Sequence, residues 1–183
     1  VIIANPAGIQ VNGATFINAA RTTLSTGKPI IDNGNLAGYQ VSQGQISVNG
    51  QGLNTLGSDY TDILARSVQI NAGIWANQLK VTAGVNAINA DNTQVTAQTT
   101  SVASGATPQF AIDTSALGGM YAGKITLIGT EQGVGVNNAG QIAASAGNVT
   151  VDINGQPRNS GTINPTLDNN GAATPQTTRH NPH

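Results

Sequence analysis

Asp59 and Asp62, three residues apart, are the only close acidic pair in the chain. Carboxylate pairs of this kind serve as general acid and base in glycoside cleavage; the competing reading is a turn stabilised by its own Asp side chains. His180 and His183, also three apart, have no neighbouring carboxylate. A zinc site needs about four ligands, so no metal or other cofactor is expected. With no histidine earlier in the chain, a Ser-His-Asp arrangement in the folded body is excluded. The absence of cysteine removes disulfides, thiolate zinc sites, iron–sulfur clusters and thiol nucleophiles together. Gly27-Lys28 has Thr22 where a phosphate-binding loop needs its first glycine, and Gly133-x-Gly135 meets Asn138 where a dinucleotide loop needs its third. Both read as turns. Asn148-Val149-Thr150 is a glycosylation sequon, but it falls in an expected strand. The motif with the best case is Asn5-Pro6, followed by Gly8 and Ile9. Asn and Pro suit the first two positions of a type I turn at a chain corner; the functional alternative is direct contact with a partner.

The elements that would position these residues are strands. Helix formers are scarce, with one Glu, three Lys and 23 Gly in 183 residues. Alternation of apolar and polar residues recurs instead, at Ile46-Ser47-Val48, Leu79-Lys80-Val81, Ile125-Thr126-Leu127 and Val149-Thr150-Val151-Asp152-Ile153. The runs end in turn chemistry, including Asn-Gly at Asn12, Asn33, Asn49, Asn154 and Asn170. The chain is therefore all-β. Only 8% of residues are charged, against about 25% in ordinary domains, and the formal net charge is −1. The seven cations are scattered from Arg21 to Arg179 and aromatics make up 3%, which argues against nucleic acid as a partner. No apolar run approaches the ~18 residues of a membrane helix.

Internal repeats separate a sandwich from a solenoid. Asn138-Ala139-Gly140-Gln141-Ile142 reappears as Asn159-Ser160-Gly161-Thr162-Ile163, 21 residues on. A weaker series joins Ser47-Val48, Ser67-Val68 and Ile88. A stride near twenty suits one three-strand coil of a parallel β-helix, stacked at about 4.8 Å, with a narrow interior that favours small residues. The solenoid is favoured and a sandwich is the rival. In the solenoid, Val149, Val151 and Ile153 point inward, Thr150 and Asp152 outward, and Gly140 and Gly161 occupy equivalent corners. Residues 1–164 form the β-helix; residues 165–183, with Pro165, Pro175 and Pro182, read as a polar tail or loose cap. Val1-Ile2-Ile3 is expected to pair as a strand whose other neighbour is a preceding segment, either missing here or supplied as a separate chain.

Several stretches resemble the two-partner secretion domain of filamentous-haemagglutinin-like exoproteins, a family of adhesins, haemolysins and contact-dependent growth-inhibition toxins. They are Val1 to Ile9, Phe16-Ile17-Asn18 and Thr23 to Pro29, then Asp59 to Ile63, Arg66, Val68 to Ala72 and Val81 to Asn86. Ala116 to Ile125 and Gly133 to Val136 complete the match, in the family's order over about residues 1–164. Ala7 replaces the Asn usual in the motif, and no Cys pair follows it, which favours the adhesin and growth-inhibition branches over the haemolysins. The resemblance implies a right-handed parallel β-helix with short extra-helical elements and a non-enzymatic role. It implies recognition by the periplasmic domains of an outer-membrane transporter, export through the periplasm of a Gram-negative bacterium to the surface or medium, and nucleation of a longer β-helix. The full-length protein would then meet a host or neighbouring cell. Asn5, Pro6, Gly8 and Ile9 are the expected recognition or structural motif. Two alternatives remain: a polysaccharide-active enzyme built on Asp59 and Asp62, and a glycan-binding surface using Trp75, Tyr39, Tyr60 or Tyr121. Trp75 is expected to lie buried under a loop or extra-helical element.

Overall fold

A computed structural model describes residues 1–99, 103–146, 148–165 and 176–179. The first coil consists of β1 (Ile2–Ala4) and β2 (Ile9–Thr15). The second opens with β3 (Arg21–Ser25), leaves the helix as a hairpin of β4 (Lys28–Asp32) and β5 (Asn35–Val41), and returns as β6 (Gln45–Asn54). The third runs through β7 (Tyr60–Ala65), β8 (Ser67–Ile70) and β9 (Gly73–Trp75). The fourth starts with β10 (Gln78–Ala83), then makes a second excursion through β11 (Asn86–Asn89) and β12 (Val95–Ala97). It resumes with β13 (Phe110–Thr114) and β14 (Gly119–Ala122). Coils five and six are β15 (Lys124–Gly129), β16 (Gly135–Asn138) and β17 (Gln141–Ala144), then β18 (Val149–Ile153), β19 (Pro157–Asn159) and β20 (Thr162–Pro165). Last comes β21 (Gln176–Arg179), paired in parallel with β18.

The coils stack in parallel register, which makes the chain a parallel β-helix. One face is the sheet β1-β3-β7-β10-β15-β18-β21. The other two are continuous because β2 and β6 each run through the corner between them. That corner explains two of the Asn-Gly pairs. Asn12-Gly13 and Asn49-Gly50 lie inside β2 and β6 at a register shift, with Asn12 Oδ1 accepting from Gln51 N, instead of reversing the chain. Asn33-Gly34 does form a hairpin turn, both residues at positive φ, as an Asn-Gly hairpin loop requires. Asn170-Gly171 and the two histidines lie outside the described residues.

The interior consists of columns, each contributed once per coil. Leu24, Ile63, Val81, Leu127 and Val151 form one, and Leu53, Ile74, Met120, Ile142 and Ile163 another. Full burial of such side chains is worth about 1.5–3 kcal/mol each. Val149, Val151 and Ile153 are buried, Thr150 is half-buried and Asp152 is exposed. Asn138 pairs with Asn159 and Gln141 with Thr162, so the 21-residue repeat is one turn of the helix. Gly140 and Gly161 hold equivalent positions because each backbone lies against the coil beneath. A Cβ on Gly161 would come 2.1 Å from the Gly140 carbonyl oxygen, and one on Gly140 equally close to that of Gly118. The second series is coincidental: Ile46 pairs with Val68, which puts Ser47-Val48 out of step with Ser67-Val68, and Ile88 lies outside the helix.

The two excursions meet. Strands β12-β11-β5-β4 form an antiparallel sheet lying over the first face. Tyr39, Val41 and Ile88 bury Leu64, an outward residue of β7, in a second small core.

Candidate functional site

Asn5-Pro6-Ala7-Gly8 forms the corner between β1 and β2. The Asn5 side-chain oxygen accepts from Ala7 N at 3.0 Å, and its carbonyl accepts from Gly8 N at 3.1 Å. Asn5 N donates to Ser25 O, and Gln43 Nε2 donates to Pro6 O, which fixes the corner to the second coil. Gly8 has φ +124°, and a Cβ there would lie 3.0 Å from the Gln45 carbonyl oxygen, so only glycine fits without strain. Asn5 and Ala7 are exposed, while Ile9 is half-buried and packs against the core.

Asp59 and Asp62 do not work as a pair. Asp59 is exposed in the turn before β7, its backbone N bonded to Ala20 O. Asp62 is 3% exposed on the outward side of β7 beneath the extra-helical sheet, ion-paired with Arg21 and accepting from Asn92 Nδ2. It is thus neither half of a catalytic pair nor part of a self-capping turn. A cleft of about 370 Å³ opens beside it, lined by Arg21, Tyr60, Lys80, Asp91, Asn92 and Lys124. Burial pushes the Lys80 ammonium below its usual value, against the raising effect of Asp62, and its Nζ donates to Asn92 O. Of the two carboxylates in this cleft, Asp62 is engaged with Arg21 and Asp91 with Thr93, so neither is poised for acid–base work.

Spacing in the sequence offers no hint of the most deeply buried ion pair. Arg66, at the β7–β8 corner, meets Glu131, at the β15–β16 corner, through Nη2–Oε1 at 2.8 Å and Nε–Oε2 at 3.3 Å. Arg66 Nη1 also donates to the Ser104 and Gly105 carbonyls, so the pair clamps the loop after β12 against the helix. Among the described residues no group of three His, Asp or Glu is placed to hold a metal.

The aromatic residues depart furthest from expectation. Trp75 is 39% exposed, because the extra-helical sheet covers the β3–β7–β10 face and leaves the β9–β14 face open. Tyr39, offered above as a sugar platform, is buried in the second core.

Comparison with known proteins places this geometry. The chain is 52% identical over 164 residues to Toxin CdiA of Yersinia pestis and 48% identical over 157 residues to the tRNA nuclease CdiA-2 of Burkholderia pseudomallei (strain 1026b). These matches cover 89% and 85% of this chain but 5% of the length of each relative. The crystal structure of the filamentous hemagglutinin secretion domain superposes with a TM-score of 0.62 at 31% identity, covering 90% of this chain and 61% of that one. The family model of the TPS secretion domain matches residues 1–163. The chain belongs to the TPS secretion domain family, the two-partner secretion module of filamentous-haemagglutinin-like and CdiA-type exoproteins.

Proposed function

We propose that this chain is the part of a large secreted or surface exoprotein that the periplasmic domains of an outer-membrane transporter recognise, and that it templates the β-helix behind it. The observation that supports this most directly is the family match over residues 1–163. The role is binding and folding, with no catalytic step; the nuclease activities in the relatives' names are those of proteins about twenty times longer than the matched segment. Within the chain we assign recognition to the Asn5–Pro6–Ala7–Gly8 corner, which exposes Asn5 and Ala7, with Ile9 anchoring it to the core. Its own hydrogen bonds make it rigid, so a partner meets a preformed shape with little ordering cost.

The test separates recognition from folding. Asn5→Ala and Pro6→Ala are placed in the full-length exoprotein with its cognate transporter, and secreted protein is measured beside the melting temperature of the purified domain. Recognition by the corner requires secretion to fall at least tenfold while the domain keeps its fold and most of its stability. Secretion that falls only in proportion to lost stability would reduce the corner to a structural element.

A further inference from the structure

We propose that the open face of β9 and β14 is a binding platform for an uncharged saccharide. Trp75 and Tyr121 occupy paired positions on adjacent strands, with ring centroids 6.0 Å apart and planes 17° from parallel. Both rings rest on bare backbone. A Cβ on Gly73 would lie 2.4 Å from the indole and one on Gly119 2.5 Å from the Tyr121 hydroxyl, so glycine two residues before each aromatic is what lets the ring lie back along its strand. The same device is used on both coils, and it keeps two large rings outside the core. Beside them opens a shallow cavity of about 690 Å³ floored by Ala76, Ala143 and Ala144 and edged by Leu56, Asn77 and Asn164.

The chemistry of this surface selects among ligands. Among the described residues no charged side chain lines the cavity, which disfavours an anionic or cationic ligand. Strand addition is blocked, because β14 is already paired with β9 on one side and β17 on the other. What remains is an aromatic surface for the C–H faces of sugar rings, bordered by neutral amides for hydroxyl groups. Asn77 uses its Nδ2 on the Leu56 and Ser58 carbonyls, leaving Oδ1 as an acceptor. Gln141 accepts from the Tyr121 hydroxyl through Oε1, leaving Nε2 as a donor. This proposal goes beyond the export role and does not depend on it.

The chain has a single Trp, so its emission reports on the platform alone. Hexasaccharides of N-acetylglucosamine and of glucose are titrated up to about 10 mM, enough to fill even a ~1 mM site. At least one should give a saturable emission change. By calorimetry, Trp75→Ala and Tyr121→Ala should weaken binding at least tenfold, while Tyr121→Phe, which keeps the ring, retains most of it. Gly73→Ala, which displaces the indole without removing it, should also weaken binding. Melting curves of the variants identify any that fail to fold, and Tyr121→Phe against Tyr121→Ala decides the matter if Trp75→Ala does. The proposal is overturned if neither oligosaccharide saturates, if binding is undiminished in both alanine variants, or if emission changes only on self-association or with an apolar peptide.

Discussion

Replacing Glu131 by Gln removes one charge from the clamp between Arg66 and the loop after β12 while keeping its shape. Arg66 and Glu131 are 4% and 6% exposed, so the guanidinium would stay desolvated without a counter-charge. Removing one partner of a buried pair is destabilising by about 3–5 kcal/mol. Here the Ser104 and Gly105 carbonyls still accept from Nη1, and the Gln oxygen can take one further bond, which sets the expectation near the lower end, about 3 kcal/mol. For a chain of this size that lowers the melting temperature by roughly 6–12 °C. Urea unfolding followed by far-ultraviolet circular dichroism and by Trp75 emission measures both the free energy and its cooperativity. The double variant Arg66→Met/Glu131→Leu should recover most of the loss, because an apolar pair of similar volume removes the stranded charge. High salt should change little, since buried pairs are weakly screened. A loss under about 1 kcal/mol for Glu131→Gln, or a double variant no more stable than Glu131→Gln, would refute the view that this clamp holds the second excursion to the helix.

Gly161→Ala should lower stability by about 1–3 kcal/mol in thermal melts, since its Cβ meets the Gly140 carbonyl and the two coils must separate. Leu127→Ala, in the middle of an inner column, should be destabilising by about 2–5 kcal/mol, whereas exposed Leu117→Ser should fall within about 0.5 kcal/mol of the parent. Burial raises the Tyr39 hydroxyl above its usual 10.0. The folded state then holds a proton that the unfolded chain releases, so Tyr39 contributes stability below pH 10 that is lost as pH rises through the folded value. Lys80, lowered by burial, acts in the opposite sense just below the ordinary lysine value. Tyr39→Phe should therefore flatten the alkaline loss of stability relative to the parent while Lys80 affects both alike, as pH-dependent urea midpoints would show.

The helix itself was legible because inward residues recur once per coil and glycine is required wherever one coil lies against the next, as at Gly140 and Gly161. Where a coil carries an excursion, the stride breaks. Thr23 pairs with Asp62, 39 residues on, and Gln78 with Lys124, 46 residues on, so no fixed period links Trp75 to Tyr121 or Arg66 to Glu131. The burial of Tyr39 and the exposure of Trp75 were missed for the same reason. Which face an excursion covers depends on contacts between residues 28–41 and 86–97, and each of these segments taken alone reads as another short strand pair. The Asn5 corner, by contrast, is local: Asn, Pro and Gly specify it within four residues, so its turn could be read directly.

The joining of the two excursions has a consequence for how the chain comes apart and together. In a linear array each coil answers only to its neighbours, and ends can peel away one unit at a time. Here β5, from the second coil, is zipped to β11, from the fourth, through Gly38 to Val41 and Asn86 to Asn89. The strap passes over the third and traps Leu64 beneath it. Coils two to four are thereby fused into one cooperative block: β3 cannot fray without tearing a sheet anchored two coils away. Amide exchange should show β3, β7 and β10 opening together at a free energy well above that of β1. Closing this block requires Asn86 to Asn89 to be in place, so coils two to four lock together only once β11 has met β5.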